Sequence, residues 1–323
     1  MVGIHHSRIM LIAALLLGMG SITSAQAARC LFVSSYHQGY AWADGIEAGV
    51  RDVLKGRCEL QQLNMDTKRH KNEAYKIAKG LEVKNYIEEW RPDVVIVADD
   101  NASKYVVVPY FKESAIPFVF CGINLTVAEY GYPFRNVTGM IEVSPLHEMY
   151  EMIRQIVPTA RLGFYIGADT ETEQKSYVRF QEVAQRYDLK LFKRLANSQA
   201  EWDRAYLEAQ KSDFVILGTD SGIADWNETH AHQLVSRHGV KLSLTNYDWM
   251  MRYAALGMTK IAREHGEWAA KSALEILAGT PPVKIQIIPS QRWDMYVNPE
   301  LAARMGVKLP DFIMLKSKKF RAK

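Results

Sequence analysis

The sequence predicts an α/β fold of two Rossmann-like, doubly wound lobes with parallel sheets, joined by a multi-strand hinge. Three observations carry this. Short, continuously apolar runs alternate with amphipathic helical stretches from Cys30 to Leu244, and such runs suit parallel strands covered on both faces. The alternation restarts after Ser144, so two series of similar size follow one another. The tail beyond Leu244 is too small for a third domain and is best used by returning to both lobes.

The elements follow in order. Cys30–Ser34 reads as a buried strand, and Trp42–Leu54 as a helix with Trp42, Ile46, Val50, Val53 and Leu54 at helical spacing. Glu59–Met65 is a second strand. Asn72–Trp90 is a long helix whose predicted buried side holds Tyr75, Ile77, Ala78, Leu81, Ile87 and Trp90. Asp93–Ala98 is a third strand. A helix near Ala102–Lys112, a strand at Pro117–Cys121 and a short strand near Val137–Ile141 complete the first series. In the second, Ser144-Pro145 opens a helix to Ile156, a candidate cap with proline at the first helical position. Strands are expected at Arg161–Ile166, Leu189–Arg194, Asp213–Leu217 and Lys241–Leu244, with helices over Glu171–Tyr187, Ala200–Lys211 and Asp225–His238. The tail offers a helix at Glu264–Ala278, strands at Ile285–Ile288 and Trp293–Val297, and a last helix opened by Asn298-Pro299. The expected lobes are 28–142 plus 253–282, and 143–252 plus 283–323. Repeated crossings of this kind make a hinge.

Residues 1–27 read as a secretory signal peptide: Arg8, an uncharged run of 12 residues from Ile9 to Gly20, then the small-x-small site Ala25-Gln26-Ala27. The run is short for a bilayer span, which needs about 20 residues. A periplasmic, disulfide-permissive location follows. Lys and Arg total 40 against 36 Asp and Glu, a net charge of +4 with no basic block, which argues against nucleic acid as a partner. The 3 cysteines are too few for a thiolate zinc site. Cys30 and Cys58 open the first two strands, which are adjacent in a doubly wound lobe, so a Cys30–Cys58 disulfide is predicted, worth ~2–4 kcal/mol.

Several stretches taken together resemble the ABC-transporter substrate-binding protein family: Phe32-Val33-Ser34-Ser35-Tyr36-His37, Met65-Asp66-Thr67-Lys68-Arg69, Gly266-Glu267-Trp268-Ala269-Ala270 running to Gly279, and Asn298-Pro299-Glu300-Leu301 with Gly306-Val307-Lys308-Leu309-Pro310. The resemblance spans residues 29–310. It implies a type I periplasmic-binding-protein fold, a ligand closed between two lobes, no chemistry on that ligand, and an ABC permease in the inner membrane as partner. Similar modules serve as extracellular sensors of membrane kinases or cyclases, and Asp99-Asp100-Asn101-Ala102 is closer to those relatives. A monomer without a cofactor or metal is expected.

In open α/β sheets the binding crevice lies beyond the carboxyl ends of the strands. That rule alone selects candidate ligand-binding residues. After the first strand come Ser35, Tyr36, Tyr40 and Trp42, an aromatic-rich loop suited to stacking. After the third come Asp100 and Asn101, where one acid is expected to contact ligand and its neighbour to cap a helix. Asn124 follows the fourth. The second lobe offers Asp169, Thr219, Asp220, Asn246 and Asp248. Aromatic walls with a few polar groups fit a small amino-acid-like or sugar-like ligand.

Catalytic motifs find no support. Asp220-Ser221-Gly222 lacks the second such triplet that an aspartic protease needs. His230 and His232 point apart on a helix. Glu264-His265 lacks the second histidine of a zinc-protease motif, and Gly-x-Ser-x-Gly, P-loop and Gly-x-Gly-x-x-Gly patterns are missing. No catalytic residue is assigned.

Overall fold

The structure, a computed structural model, describes residues 27–321. The predicted signal peptide lies outside the described residues except for Ala27. The first series comprises β1 (Arg29–Ser34), α1 (Ala41–Leu54), β2 (Glu59–Asn64), α2 (Glu73–Trp90), β3 (Val94–Ala98), α3 (Asp99–Ala102), a π-helical turn (Ser103–Val107), α4 (Val108–Tyr110), β4 (Phe118–Asn124) and β5 (Val137–Glu142). The second comprises α5 (Leu146–Ile156), β6 (Leu162–Ala168), α6 (Glu171–Arg186), β7 (Lys190–Ala196), α7 (Gln199–Ala209), β8 (Phe214–Leu217), α8 (Glu228–His238), β9 (Leu242–Thr245) and β10 (Leu256–Lys260). The tail adds α9 (Ala262–Leu277), β11 (Ile288–Pro289), β12 (Trp293–Val297), α10 (Pro299–Arg304), α11 (Asp311–Lys316) and β13 (Lys318–Lys319).

These form two sheets. The first has the order β11-β5-β4-β3-β1-β2 and is parallel throughout. The second has the order β13-β12-β10-β9-β8-β6-β7, parallel except where β12 runs antiparallel to β10. Alternation along the strands explains the continuous apolar runs. Leu31, Val33, Val95 and Val97 join a core on one face of the first sheet, while Cys30, Phe32, Val94 and Ile96 join another on the opposite face. Each such side chain contributes ~1.5–3 kcal/mol by burial. Cys30 and Cys58 are bonded, their Cα atoms 6.0 Å apart, beside the β1–β2 pair, and Cys121 is a buried free thiol.

The crossings fall at different residues from those expected. Leu256–Lys260 is an interior strand of the second sheet, so the chain returns to the first lobe at Ile261 and not at Tyr253. Its Gly257 and Met258 lack the β-branched pattern of the other strands, and Gly257 is needed because a Cβ there would strike the Met251 sulfur. The chain leaves the first lobe again after β11, at 290–292 and not at 283. Helix α2 is also turned from its predicted face: Lys76, Gly80, Val83 and Ile87 are buried, while Ile77 and Leu81 are 51% and 45% exposed. A Cβ at Gly80 would strike the Tyr105 carbonyl, so close backbone approach sets that face rather than bulk. Asn298 caps α10 as predicted, accepting from the Leu301 N–H at 3.1 Å. Ser144 makes no such cap, and α5 starts at Leu146.

Candidate functional site

The carboxyl ends of the two sheets face each other across a cleft with a small cavity of about 10 Å³, lined from the first lobe by Tyr36, Tyr40, Trp42, Lys68, Asp99, Asn124 and Glu142, and from the second by Thr172, Tyr247 and Lys260. The lobes touch in this structure. Lys71 Nζ donates to the Asp169 carbonyl at 2.8 Å, Lys175 Nζ lies 2.6 Å from Glu129, and the Tyr40 and Trp249 rings meet edge to face at 5.7 Å. A larger crevice of about 400 Å³ opens beside the cleft and shares Asn124 and Glu142 with it.

Local folding explains each placement. Helix α3 begins directly at the end of β3, with no intervening loop, and forces Asp99 to φ 68°. Non-glycine residues rarely adopt this region, and they do so chiefly where the surroundings hold them. Here the hold is Trp42, whose Nε1 donates to Asp99 Oδ1 at 2.8 Å, and Gly122, where a Cβ would crowd the same oxygen. Asp99 Oδ2 is buried with no partner. Burial, reinforced by the nearby Glu142 charge, holds this carboxyl well above the usual range.

Lys68 follows β2 and is 5% exposed. Its ammonium donates to Thr172 Oγ1 at 3.0 Å and stands over the Tyr36 and Tyr40 rings at 4.7 and 5.3 Å. Among the described residues, no carboxylate pairs with it within 4.0 Å. Burial pushes its pKa down. Lys260 instead forms a buried ion pair with Glu142 and lies over the Tyr247 and Trp42 rings at 4.2 and 5.0 Å. Glu173, wholly buried, accepts from Tyr165 at 2.6 Å and from the Thr219 N–H at 3.0 Å. It occupies space that a Cβ at Gly167 or Gly218 would fill, and burial raises its pKa.

Of the residues expected at the site, Tyr36, Tyr40, Trp42 and Asn124 line the cavity. Asn246 lies next to it, with its Nδ2 on Ser144 and its Oδ1 unpartnered. The others are placed elsewhere. Ser35 spends its hydroxyl on the Ala98 carbonyl and the Ala102 N–H, and Asn101 donates to Thr67. Asp100 accepts from Asn124, Tyr130 and, across the lobes, Lys175, so the acid facing the cavity is its neighbour Asp99. Asp169 sits on the rim with Gln174 and Asn197. Thr219 accepts from the Ser221 N–H, Asp220 accepts from Trp249 Nε1, and Asp248 is exposed. Sequence reasoning missed Lys68, Asp99, Glu142, Thr172, Glu173, Tyr247 and Lys260. The strand-end rule pointed to Asp99 and Tyr247, which stand in stretches it had marked; Lys68 lies in a stretch singled out only for the family resemblance, and the terminal residues of β5 and β10 were a further signal.

Solved structures share this architecture. A conserved domain protein from Vibrio cholerae is similar with a TM-score of 0.73 at 18% identity, covering 91% of this chain and 99% of that one. The ABC domain from Streptococcus pneumoniae in complex with L-Trp gives 0.68 at 15%, covering 90% and 99%. The ligand-free, open structure of a substrate-binding protein with adhesive properties from Clostridium difficile gives 0.68 at 13%, covering 92% and 100%. No curated protein matches the chain. These likenesses establish the type I periplasmic-binding-protein fold. The family model described as "ABC transporter substrate binding protein" matches residues 35–320, and the chain therefore belongs to that family, one of binding proteins and not of enzymes.

Proposed function

We propose that this protein is the exported, periplasmic solute-binding component of an ABC transporter, and that it closes on a small zwitterionic, amino-acid-like ligand and hands it unchanged to the permease. One observation carries the ligand class. Lys68 and Asp99 are groups of opposite charge type in one cleft, each buried without an ionic partner among the described residues and each held by its own neutral contacts. An unpaired buried ion costs several kcal/mol, and burial accordingly drives both groups toward their neutral forms. A ligand bringing a carboxylate to Lys68 and an ammonium to Asp99 removes both penalties, and the surrounding rings wall its body. A sugar removes neither. The Streptococcus pneumoniae relative is described in complex with L-Trp, itself a zwitterion. Only the closed state lets both lobes touch the ligand, so binding favours closure.

Thermal-shift titration with amino acids, sugars and nucleosides tests this. An amino acid is expected to raise Tm and to be recovered unaltered. Lys68→Met and Asp99→Asn are each expected to weaken it by at least about tenfold, or 1.4 kcal/mol, while leaving the unliganded fold no less stable. A shift with sugars alone overturns the zwitterion; no shift with any compound overturns the solute-binding role.

A further inference from the structure

We propose that the outer edge of the second lobe's sheet, where the tail ends, docks on a bilayer surface rich in anionic phospholipid. This edge is built by the tail. β12 runs antiparallel to β10 and carries the chain from Trp293, beside Lys260, to Val297 at the end of the sheet away from the ligand cavity, and β13 forms the outermost strand, with Lys318 beside Tyr296 and Lys319 beside Val297.

Two features meet there. Leu315 on α11 is 85% exposed and Phe312 beside it 40% exposed, while Ile313 between them is buried and anchors the short helix to the core. Around this apolar tip stand Lys316, Lys318, Lys319 and Arg321, all exposed. Lys319 joins the two features: its ammonium contacts the Met314 carbonyl of α11, and the residue lines one crevice with Arg304 and Arg321. From Arg304 to Arg321 the chain carries six basic residues against one acid, Asp311, with Lys318 and Arg304 also paired to Asp294 and Glu300 outside that stretch. Exposed large apolar side chains ringed by lysine and arginine fit the headgroup boundary of an anionic bilayer: the apolar tip enters the interface and the cations meet lipid phosphates. A nucleic acid or an acidic protein would answer the charge but not the exposed Leu315. Leu315 and Lys316 lie on α11, anchored by the buried Ile313, and the strand that follows is fastened by the Phe320 N–H to the Val297 carbonyl at 2.7 Å, so the patch is presented without folding on binding.

The experiment is co-sedimentation of the protein with large vesicles of phosphatidylglycerol and phosphatidylcholine, against vesicles of phosphatidylcholine alone, at low and high salt. Binding is expected to be at least about tenfold stronger on the anionic vesicles and to fall in high salt, since salt screens the attraction between the basic residues and the lipid phosphates. Lys316→Glu with Lys318→Glu should lower binding at least about tenfold, and Leu315→Ser should weaken it even at low salt, both with unchanged Tm. Ligand-induced thermal shifts should be the same in all variants, because none of the substituted residues lines the cleft. Equal retention on both vesicle types, no retention at all, or variants that bind like the parent would overturn the proposal. Retention by heparin or an acidic polypeptide without retention by vesicles would assign the charge to another partner and equally overturn it.

Discussion

His265 shows how much a single buried side chain can set the pH response. It is wholly buried in the first turn of α9, its ring 5.3 Å from that of Trp42, and neither ring nitrogen has a partner among the described residues. Burial, with Lys260 adding repulsion, pulls its pKa from 6.5 down to about 3. In the unfolded chain the imidazole takes up a proton below pH ~6.5, which the folded protein refuses until about 3. Its contribution to stability is therefore complete above the unfolded value and is lost as pH falls through that window, about 2 kcal/mol by pH 5. His265→Phe removes the titration and two unsatisfied buried nitrogens. Its Tm relative to the parent should rise as pH drops from 8 to 5 in a series of melts; a pH-independent difference would show that the imidazole does not titrate as described. The raised carboxyls Asp99, Glu142 and Glu173 act in the opposite sense, their contribution fading as pH rises through their folded values.

At the scale of elements, the α1–α9 pair fixes the first lobe. The helices cross through Gly45, Gly49 and Gly266, and a Cβ at Gly266 would strike the Ile46 carbonyl. Ala269, Ala270 and Ala273 continue the seam, and the Arg263–Asp52 ion pair flanks it. Gly266→Ala is expected to destabilise by roughly 1–3 kcal/mol through overpacking, read as a lower urea midpoint at unchanged slope; a neutral result would mean that the helices separate freely. Small residues at a crossing leave little trace in a hydrophobic pattern, and the same is true of Gly80, which turned α2 away from its predicted face. By contrast the central strands were legible, because both of their faces are covered and every position is apolar. The cleft was half legible for related reasons. Tyr36, Tyr40 and Trp42 follow a strand end and stand out as aromatic, whereas Lys68, Glu142, Glu173 and Lys260 look like ordinary surface charges until the folded lobes bury them. Asp99 and Asp100 exchange roles because β3 runs straight into α3, a junction that no spacing of residues announces.

At the scale of the whole molecule, the two lobes are joined where the chain crosses at 143–145, at Ile261 and at 290–292. Glu142 ends β5 and Lys260 ends β10, so their ion pair ties together two of these crossings, with side chains 6% and 4% exposed. Ser290 fastens the third to Val143, and Glu264 accepts from the Gln291 and Arg292 N–H groups. The pair also floors the cavity, since Lys260 lies over Trp42 and Tyr247. Any rotation of the lobes about these crossings must carry the pair with it or expose it to water. Removing one partner leaves the other as a lone buried charge, at a cost of about 3–5 kcal/mol, whereas removing both with apolar or neutral groups of similar size is close to neutral. Glu142→Gln and Lys260→Met are therefore each expected to lower unfolding free energy by that amount in urea titrations, and the double variant to regain most of it. Because the pair ties two of the crossings together, the double variant should also open more readily, with a larger radius of gyration in X-ray scattering without ligand and recovery of the parent value at saturating ligand. If the two single losses simply add in the double variant, the charges are not coupled, and the closed state must be held by the rim contacts of Lys71 and Lys175 instead.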